Sequence, residues 1–255
     1  MLSIDTHLTI LTGASRGMGL AMAQQLLRPG QQLLCLSRQT NPELAAQAAA
    51  RNIPLEQWTQ DLSDTQTAAA RLRTWLQAQP ASRFASATLI NNAGVIAPIA
   101  PLSASAPADL AQALRVGLEA PMLLCAAFLG ATENWHIPRK VLNISSGLGR
   151  RAMASQAAYC AAKAGMDHFT RCLALDEATK AHGAKVCSLA PGVIDTAMQV
   201  QLRSADAADF PDAPHFAHLK TAGQLTSAAD AAARVLAWLE RADFGADPVA
   251  DVRSA

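Results

Sequence analysis

The sequence has few aromatic residues and almost no net charge, and both features exclude classes of protein. Aromatic residues make up 4% of the 255 residues and include a single tyrosine, so the core is expected to consist of Ala, Leu, Val and Ile. There are 21 basic and 20 acidic residues, which leaves a net charge of +1. This balance argues against a nucleic-acid-binding face and against a basic contact with a membrane surface.

Long apolar segments and paired cysteines are also missing. No segment reaches the roughly 18 apolar residues of a membrane span, and the longest candidate, Ala120–Ala131, is expected to be a buried helix. The five cysteines include no C-x-x-C pair, which is typical of free thiols in a reducing compartment. Residues 8–12 already have the composition of a strand, so no signal peptide is expected. These features predict a cytoplasmic protein.

What the sequence does contain is a regular alternation of short apolar runs with longer helical segments. The predicted strands are residues 8–12, 32–37, 55–60, 87–91, 140–145 and 185–190. The predicted helices are residues 17–27, 42–50, 65–79, 108–129, 156–181 and 226–241. This alternation predicts an α/β fold, a Rossmann-type doubly wound parallel sheet flanked by helices. No linker divides the chain, so a single domain over residues 1–255 is expected.

Residues 199–224 break the alternation with charged residues, prolines and histidines. Long loops inside a compact domain are usually functional or disordered. We predict a lid over a substrate site at about residues 196–224, with disorder as the alternative. His215 and His218 have the spacing of a helical metal pair, but no third ligand is evident, and no metal site is predicted.

A glycine-rich turn follows the first predicted strand and opens the first predicted helix. Its sequence is Thr12-Gly13-Ala14-Ser15-Arg16-Gly17-Met18-Gly19. Glycines here permit a tight turn and let the backbone approach a pyrophosphate at the helix N-terminus, where free N–H groups and the helix dipole favour anions. The candidate dinucleotide contacts are Gly13, Ser15, Arg16, Gly17, Met18 and Gly19. An ordinary glycine turn is the alternative.

The spacing of this loop, G-x-x-x-G-x-G, resembles the short-chain dehydrogenase/reductase family, and motifs along nearly the whole chain carry the same resemblance. Asp61-Leu62 looks like the family's adenine contact, and Asn91-Asn92-Ala93-Gly94 looks like its central strand-end motif. Pro191-Gly192-Val193-Ile194-Asp195-Thr196 looks like the segment that holds the nicotinamide carboxamide. The resemblance implies further cofactor contacts at Asp61, Leu62, Asn91, Ala93, Gly94, Pro191, Gly192, Ile194 and Thr196.

The catalytic residues are implied by the same resemblance. Ser146 follows the fifth predicted strand, while Tyr159 and Lys163 lie four residues apart on one helix face, as in the family's Ser…Tyr-x-x-x-Lys triad. Carbonyl reduction needs a proton for the developing alkoxide, and a free tyrosine, with a pKa of about 10, exchanges protons poorly near neutrality. The Lys163 ammonium is expected to lower that pKa and to hold the nicotinamide ribose, and Ser146 to donate a hydrogen bond to the substrate oxygen.

Cofactor choice is predicted from the end of the second strand. NAD-preferring sites place an acidic residue there, whereas this strand ends Leu36-Ser37-Arg38. Arg38 and Arg16 could clamp a 2′-phosphate, because a guanidinium matches phosphate geometry and stays charged. NADP(H) is therefore the expected cofactor, with solvated surface arginines as the alternative.

One position departs from the family pattern. The family carries an asparagine in the helix after Asn-Asn-Ala-Gly, which helps hold a water that links the lysine to solvent, and this chain has Gly117 there. Glycine inside a helix costs roughly 0.5–1 kcal/mol relative to alanine. We expect an altered proton relay, with a water in the space left by the missing side chain.

Within the family, the second half of the chain is similar to sepiapterin reductases and bacterial benzil reductases. The residues that carry this similarity are Tyr159-Cys160-Ala161-Ala162-Lys163, Leu173-Ala174-Leu175-Asp176-Glu177 and Asp195-Thr196-Ala197-Met198-Gln199. The similarity implies reduction of a vicinal diketone or a pterin side-chain ketone. Asp251 best matches the aspartate with which sepiapterin reductases anchor the pterin; a plain surface carboxylate is the alternative.

Two further functions stay open, along with the oligomeric state. The chain could reduce 3-oxoacyl thioesters or oxidise sugar or steroid alcohols. It could also be an NADP(H)-sensing protein without turnover, which Gly117 favours and the intact Ser146, Tyr159 and Lys163 oppose. Family members form dimers or tetramers through the helices matching 108–129 and 156–181, so a homodimer or homotetramer is expected, with a small carbonyl compound as the other partner.

Overall fold

The predicted parallel sheet is present and is larger by one strand than the sequence indicated. The structure, a computed structural model, describes residues 6–254; residues 1–5 and 255 of the predicted domain lie outside the described part. The sheet is parallel throughout, in the order β3-β2-β1-β4-β5-β6-β7. The strands are β1 His7–Thr12, β2 Gln31–Ser37, β3 Leu55–Thr59, β4 Ser86–Asn91, β5 Arg139–Ile144, β6 Lys185–Ala190 and β7 Val249–Asp251. The six predicted strands are confirmed to within one residue at each end.

Helices cover both faces of the sheet. They are α1 Gly17–Leu26, α2 Pro42–Ala50, α3 Thr65–Gln77, α4 Pro107–Leu114, α5 Ala120–Ala131, α6 Ala157–Ala178, α7 Ala197–Arg203, α8 Ala213–Thr221 and α9 Ala228–Glu240. One cluster of buried side chains joins α1 and α9 to the sheet through residues such as Met22 and Val235. A second cluster, which includes Leu72 and Phe128, joins α3 and α5 to it. This layering confirms the doubly wound architecture and explains why β2 is buried along its whole length.

The helix predicted for residues 108–129 has an unexpected interruption. Arg115–Glu119 forms a π-helix between α4 and α5, so that Pro107–Ala131 is one continuous helical segment. By length and composition it would suffice to cross a membrane, which corrects the expectation that no segment qualifies. However, 56% of its most apolar 18-residue stretch is buried inside the fold. A core helix of a globular domain can have the same length and apolar composition as a membrane span.

The segment predicted to be a lid is structured rather than a loop. It contains α7 and α8, and four of its side chains form an apolar cluster with Met153, which precedes α6. We call this the lid cluster: Met153, Leu202, Phe210, Ala213 and Phe216. The rings of Phe210 and Phe216 stack with their centroids 5.7 Å apart. Proline in the first turn of α8 begins that helix, because a first-turn position needs no N–H donor. Of the two prolines in this segment, Pro214 therefore starts a helix, while Pro211 lies in the turn before it.

The C-terminal residues add the seventh strand. β7 pairs in parallel with β6, with Ser188 opposite Val249 and Ala190 opposite Asp251. A strand of three residues is too short to show an alternating pattern, which is why the sequence did not reveal it. This pairing places the chain end at the same sheet edge as the predicted site.

Candidate active site

The predicted site segments lie side by side because the strands that precede them are neighbours. β1, β4, β5 and β6 are consecutive in the sheet and parallel. The glycine loop follows β1, Asn91 ends β4, Ser146 follows β5 and Pro191 follows β6. All four segments therefore leave the sheet at its carboxyl edge, which is where open parallel sheets bind ligands.

The glycine loop packs closely against the segment after β4. Gly13 has a φ of +74° and Gly17 a φ of +58°, conformations that glycine adopts without strain. A Cβ on Gly13 would lie 2.9 Å from the Cα of Ala93, too close for any side chain. The Thr12 hydroxyl accepts hydrogen bonds from the backbone N–H groups of Asn92 and Ala93, at 2.9 and 3.0 Å. A Cβ on Gly17 would lie 3.8 Å from Thr196, so the segment after β6 also borders the loop.

The N-terminus of α1 suits an anion. Arg16 occupies the N-cap position without a side-chain hydrogen bond, and the first turn contains no acidic residue. First-turn N–H groups have no partner within the helix, and the helix dipole adds positive potential there. The residues of this turn therefore fit a pyrophosphate, as the glycine spacing predicted.

The residues at the end of β2 are compatible with the predicted binding of the cofactor's 2′-phosphate. Ser37 is buried, and its hydroxyl has no hydrogen-bond partner among residues 6–254. Arg38, the next residue, is exposed, and so is Arg16. Asp61 is exposed as well, and a backbone hydrogen bond from Ser63 lowers the pKa of its carboxyl. An orphaned hydroxyl next to the exposed guanidinium of Arg38 fits a phosphate-bearing ligand.

The side chain of Asn91 also links neighbouring elements of the fold. It is buried and donates to the Asn143 side-chain oxygen at 2.9 Å and to the Cys125 sulfur at 3.3 Å. Asn143 in turn donates to Thr170 at 2.9 Å. These bonds tie β4 to α5, β5 and α6, and the predicted cofactor contact of Asn91 stays a prediction.

The three predicted catalytic residues meet at the junction of β5 and α6. Tyr159 lies in the first turn of α6, and the Nζ of Lys163 is 5.7 Å from the centroid of its ring. Lys163 is buried and donates a hydrogen bond from Nζ to the carbonyl of Ile144 at 2.7 Å. Ser146 caps the 3₁₀ turn Gly147–Gly149 and accepts from the backbone N–H of Leu148 at 3.1 Å, which leaves its hydroxyl proton to donate.

Burial dominates the proton equilibria of these groups. It raises the pKa of the Tyr159 phenol, and the Ser146 hydroxyl only partly opposes this. Burial also lowers the pKa of Lys163 to about 8, against the charge of Asp167. The pKa of Tyr159 is thus raised rather than lowered, with burial as the largest cause. Tyr159 consequently stays protonated at neutral pH, as a proton donor must. A lowering by Lys163 together with a positively charged nicotinamide stays a prediction.

Gly117 lies in the π-helix, where it faces α6. A Cβ on Gly117 would be 3.0 Å from the Cβ of Ala162. The first atom of the missing side chain would therefore crowd a neighbouring methyl group. A water farther out along the missing side chain stays a prediction. The close approach of the two helices explains the glycine.

Asp251 does not share a cleft with the catalytic residues. Its carboxylate is paired with both donors of Arg253, at 2.8 and 2.7 Å, and this pairing lowers the pKa of Asp251. It lines a cleft of about 380 Å³ with Trp238 and Arg241, and none of the predicted catalytic residues borders that cleft. β7 nevertheless places Asp251 opposite Ala190, next to the predicted cofactor residue Pro191, and the substrate role of Asp251 stays a prediction.

Sequence reasoning missed the apolar wall beside the catalytic residues. Ile96, Leu148 and Cys160 pack against the lid cluster. Leu148 lies two residues after Ser146, and Cys160 follows Tyr159 directly. Phe210 and Phe216 were the sequence signal for this wall, because large aromatic side chains are uncommon in a loop that is exposed to solvent.

Sequence reasoning also missed a buried carboxylate in the centre of α6. Asp167 lies one turn after Lys163 and accepts hydrogen bonds from Ser145, Ser188 and Arg150. Its spacing of four residues from Lys163 was the only signal, since it places both on one helix face. Within residues 6–254 there is no group of three His, Cys, Asp or Glu that could hold a metal ion.

Known proteins are similar to this chain in sequence and in fold. A family model for short chain dehydrogenases matches residues 7–207. A benzil reductase of Bacillus cereus that forms (S)-benzoin is 34% identical over 235 residues, 92% of this chain and 94% of that protein. A sepiapterin reductase of Rattus norvegicus is 31% identical over 248 residues, 92% of each. A metagenomic short-chain oxidoreductase solved with NADP has a TM-score of 0.71 and 27% identity, covering 98% of this chain and 96% of that one.

Proposed function

This chain belongs to the short-chain dehydrogenase family, an oxidoreductase of carbonyl and alcohol groups, and we propose that it is an NADPH-dependent reductase of vicinal diketones or of pterin-type side-chain ketones. The reductases of benzil and sepiapterin to which it is similar are named for such substrates, and each aligns with most of the chain. The proposal extends those substrate classes to this protein.

The observation that carries the proposal is the apolar wall beside Tyr159 and Ser146. Leu148 and Cys160 are chain neighbours of the two catalytic residues and pack against Phe210 and its cluster. Such a wall favours a ketone that carries flat or apolar groups, because burying them contributes roughly 25 cal/mol per Å². The acidic lid residues Asp206, Asp209 and Asp212 disfavour a highly anionic thioester carrier.

The residues at the carboxyl edge of the sheet would hold the cofactor. The first turn of α1 would bind its pyrophosphate, and Arg16, Ser37 and Arg38 would bind the 2′-phosphate of its adenosine. Lys163 would hold the ribose next to the nicotinamide. When bound, NADPH supplies the hydride.

The side chains of the protein would handle the proton and the substrate oxygen. Tyr159 keeps its proton at neutral pH because burial raises its pKa, and it would donate that proton to the developing alkoxide. The free proton of Ser146 would hydrogen-bond the same oxygen and stabilise charge as it develops. The lid cluster would exclude water from these two groups.

The test is NADPH oxidation, followed by absorbance, with benzil, another vicinal diketone, sepiapterin and an acetoacetyl thioester, each with NADPH and with NADH. We expect turnover of a diketone or of sepiapterin with NADPH, and its loss in Tyr159→Phe, which keeps the ring and removes the proton donor. Turnover of the thioester alone would replace this proposal with the 3-oxoacyl alternative. Tight NADPH binding without turnover would indicate the cofactor-sensing alternative.

We also propose that the protein is cytoplasmic and forms a homodimer or homotetramer. Apolar side chains are exposed on the helices expected at the interface: Leu114 on α4, Met122 on α5 and Leu175 on α6. Exposed apolar patches of this kind mark association surfaces. A second copy of the chain would cover them.

A further inference from the structure

The loop that carries Ser146 begins and ends on one buried carboxylate. Asp167 is only 2% exposed. Its Oδ1 accepts a hydrogen bond from the Ser145 hydroxyl at 2.6 Å, and its Oδ2 accepts one from the Arg150 Nε at 3.1 Å. Ser146 lies between these two attachment points, so Asp167 closes the loop 145–150 into a ring.

The same face of α6 holds two consecutive residues at the end of β5. Lys163 binds the carbonyl of Ile144, and Asp167, one helical turn later, binds the side chain of Ser145. The next residue in the chain is Ser146. Two hydrogen bonds from successive turns of α6 therefore set the position of Ser146 relative to Tyr159, which lies on the same helix.

The far end of the loop is equally constrained. A Cβ on Gly149 would lie 2.9 Å from the carbonyl oxygen of Lys163 and 3.0 Å from the Oδ2 of Asp167, so the loop rests directly on α6. Arg150 also donates to the carbonyl of Ala250 in β7 at 2.9 Å. The ion pair of Asp167 thus links the Ser146 loop to the C-terminal strand.

A buried carboxylate is a costly way to stabilise a helix, because well-packed apolar side chains usually do so at least as well. Asp167 has a single guanidinium partner and two hydroxyl donors, all of which come from segments that meet at the site. Its contacts are directional, and directional contacts fix geometry in a way that apolar packing does not.

We propose that Asp167 is a positioning residue, whose carboxylate holds both ends of loop 145–150 and thereby fixes the Ser146 hydroxyl against Tyr159. This inference rests on the proposed reductase function, since it concerns the same site. Asp167 touches neither the substrate nor the reacting atoms; it acts through Ser145 and Arg150.

Ser145 and Ser188 provide a matched pair of variants. Each donates a 2.6 Å hydrogen bond to the Oδ1 of Asp167, and both are buried, at 3% and 0% exposure. Ser145 adjoins Ser146, whereas Ser188 lies in β6. A role confined to stability predicts equal consequences for Ser145→Ala and Ser188→Ala. Positioning predicts that only Ser145→Ala disturbs the reaction.

The measurement is kcat and KM for the diketone, with thermal unfolding as the stability control. Because small misplacement of a reacting group costs up to about a hundredfold, we expect Ser145→Ala to lower kcat about tenfold or more and Ser188→Ala about twofold or less. KM for NADPH should stay unchanged in both, and Ser145→Thr should restore most of the kcat. Equal losses of kcat in the two alanine variants would overturn the proposal.

A second measurement does not depend on turnover. Hydrogen–deuterium exchange of Asp167→Asn, which keeps the shape of the side chain and removes its charge, should be faster in the peptides that contain residues 146–151 and 249–252 than in the native protein. Unchanged exchange there would refute the clamp even if the enzyme is active. A native protein that reduces none of the substrates but shows this change would refute the proposed function and leave the clamp supported.

Discussion

Tyr159 and Lys163 are both buried, and burial favours the neutral form of each side chain. A free phenol, with a pKa of about 10, already holds its proton at neutral pH, and burial raises the pKa of Tyr159 further. The ammonium of Lys163 keeps its charge only up to a pKa of about 8. Alkaline pH therefore affects the lysine first.

We predict that kcat/KM for ketone reduction falls as pH rises through about 8. The protonated form of Lys163 is the active one, and a lowered pKa means that this form disappears at lower pH than for an ordinary lysine. The measurement is kcat/KM against pH, with thermal unfolding followed over the same range to exclude denaturation. A profile that stays level up to the usual pKa of lysine would show that this group does not control the reaction.

Arg38 should determine cofactor preference. Replacing it with aspartate removes a phosphate ligand and supplies an acceptor for a ribose hydroxyl, so the preference for NADPH over NADH should fall by about ten- to a hundredfold, as charged hydrogen bonds contribute about 1.5–3 kcal/mol. The measurement is kcat/KM with each cofactor. Arg234→Asp, on the exposed face of α9, is the control with equal charge change. Equal ratios in the two variants would contradict an Arg38 contact.

At the level of elements, the sequence predicted the positions of the strands more accurately than those of the helices around the site. Most of the predicted strands are largely apolar runs that the fold buries on both faces, as β2 is along its whole length. β3 is the exception, because it lies at the edge of the sheet and is mostly polar. The glycine loop, Ser146, Tyr159 and Lys163 could be located because strand ends place them at one edge. Asp167 could not, because nothing in a sequence says that a polar residue on a helix is buried with partners.

The π-helix could not be predicted from the sequence either, because it depends on packing against another element, α6. Gly117 had suggested a missing relay side chain, whereas the structure relates it to the approach of Ala162 on α6. The two helices of the lid segment were not predicted for the same reason. The apolar side chains that they pack against, Met153 and Leu148, come from a different part of the chain. Contacts between distant segments decide such features.

The contact between Gly117 and Ala162 predicts an energetic coupling. Gly117→Ala should gain up to about 0.5–1 kcal/mol of helix stability, offset by crowding against Ala162. In an Ala162→Gly background the crowding disappears, so the same substitution should be more favourable. Urea unfolding of the two single variants and the double variant measures this difference. Additive free energies of unfolding would contradict a direct contact.

At the level of the whole molecule, three of the five large apolar side chains that are exposed among residues 6–254 lie on α4, α5 and α6. They are Leu114, Met122 and Leu175, and Leu175 is 72% exposed. The proposed interface would cover these three side chains, whereas Leu102 and Val200 lie elsewhere on the surface.

Leu175→Asp should shift the protein towards a monomer, because a carboxylate would be buried without a partner at the proposed interface. Sedimentation velocity over a range of protein concentrations measures the assembly state. Leu102→Asp, at a residue that is 59% exposed but outside the three helices, is the matched control and should leave the assembly unchanged. A native protein that is monomeric at all concentrations would refute the proposed oligomer.

The buried phenol of Tyr159 has one more consequence, which concerns how the enzyme can be observed. Because the chain has a single tyrosine, the ultraviolet signal of phenolate formation arises from the proposed proton donor alone. An alkaline spectrophotometric titration of the native protein therefore records the ionisation of that one phenol, without labels or substitutions. The scarcity of aromatic residues therefore lets the absorbance of the native protein report on Tyr159 specifically.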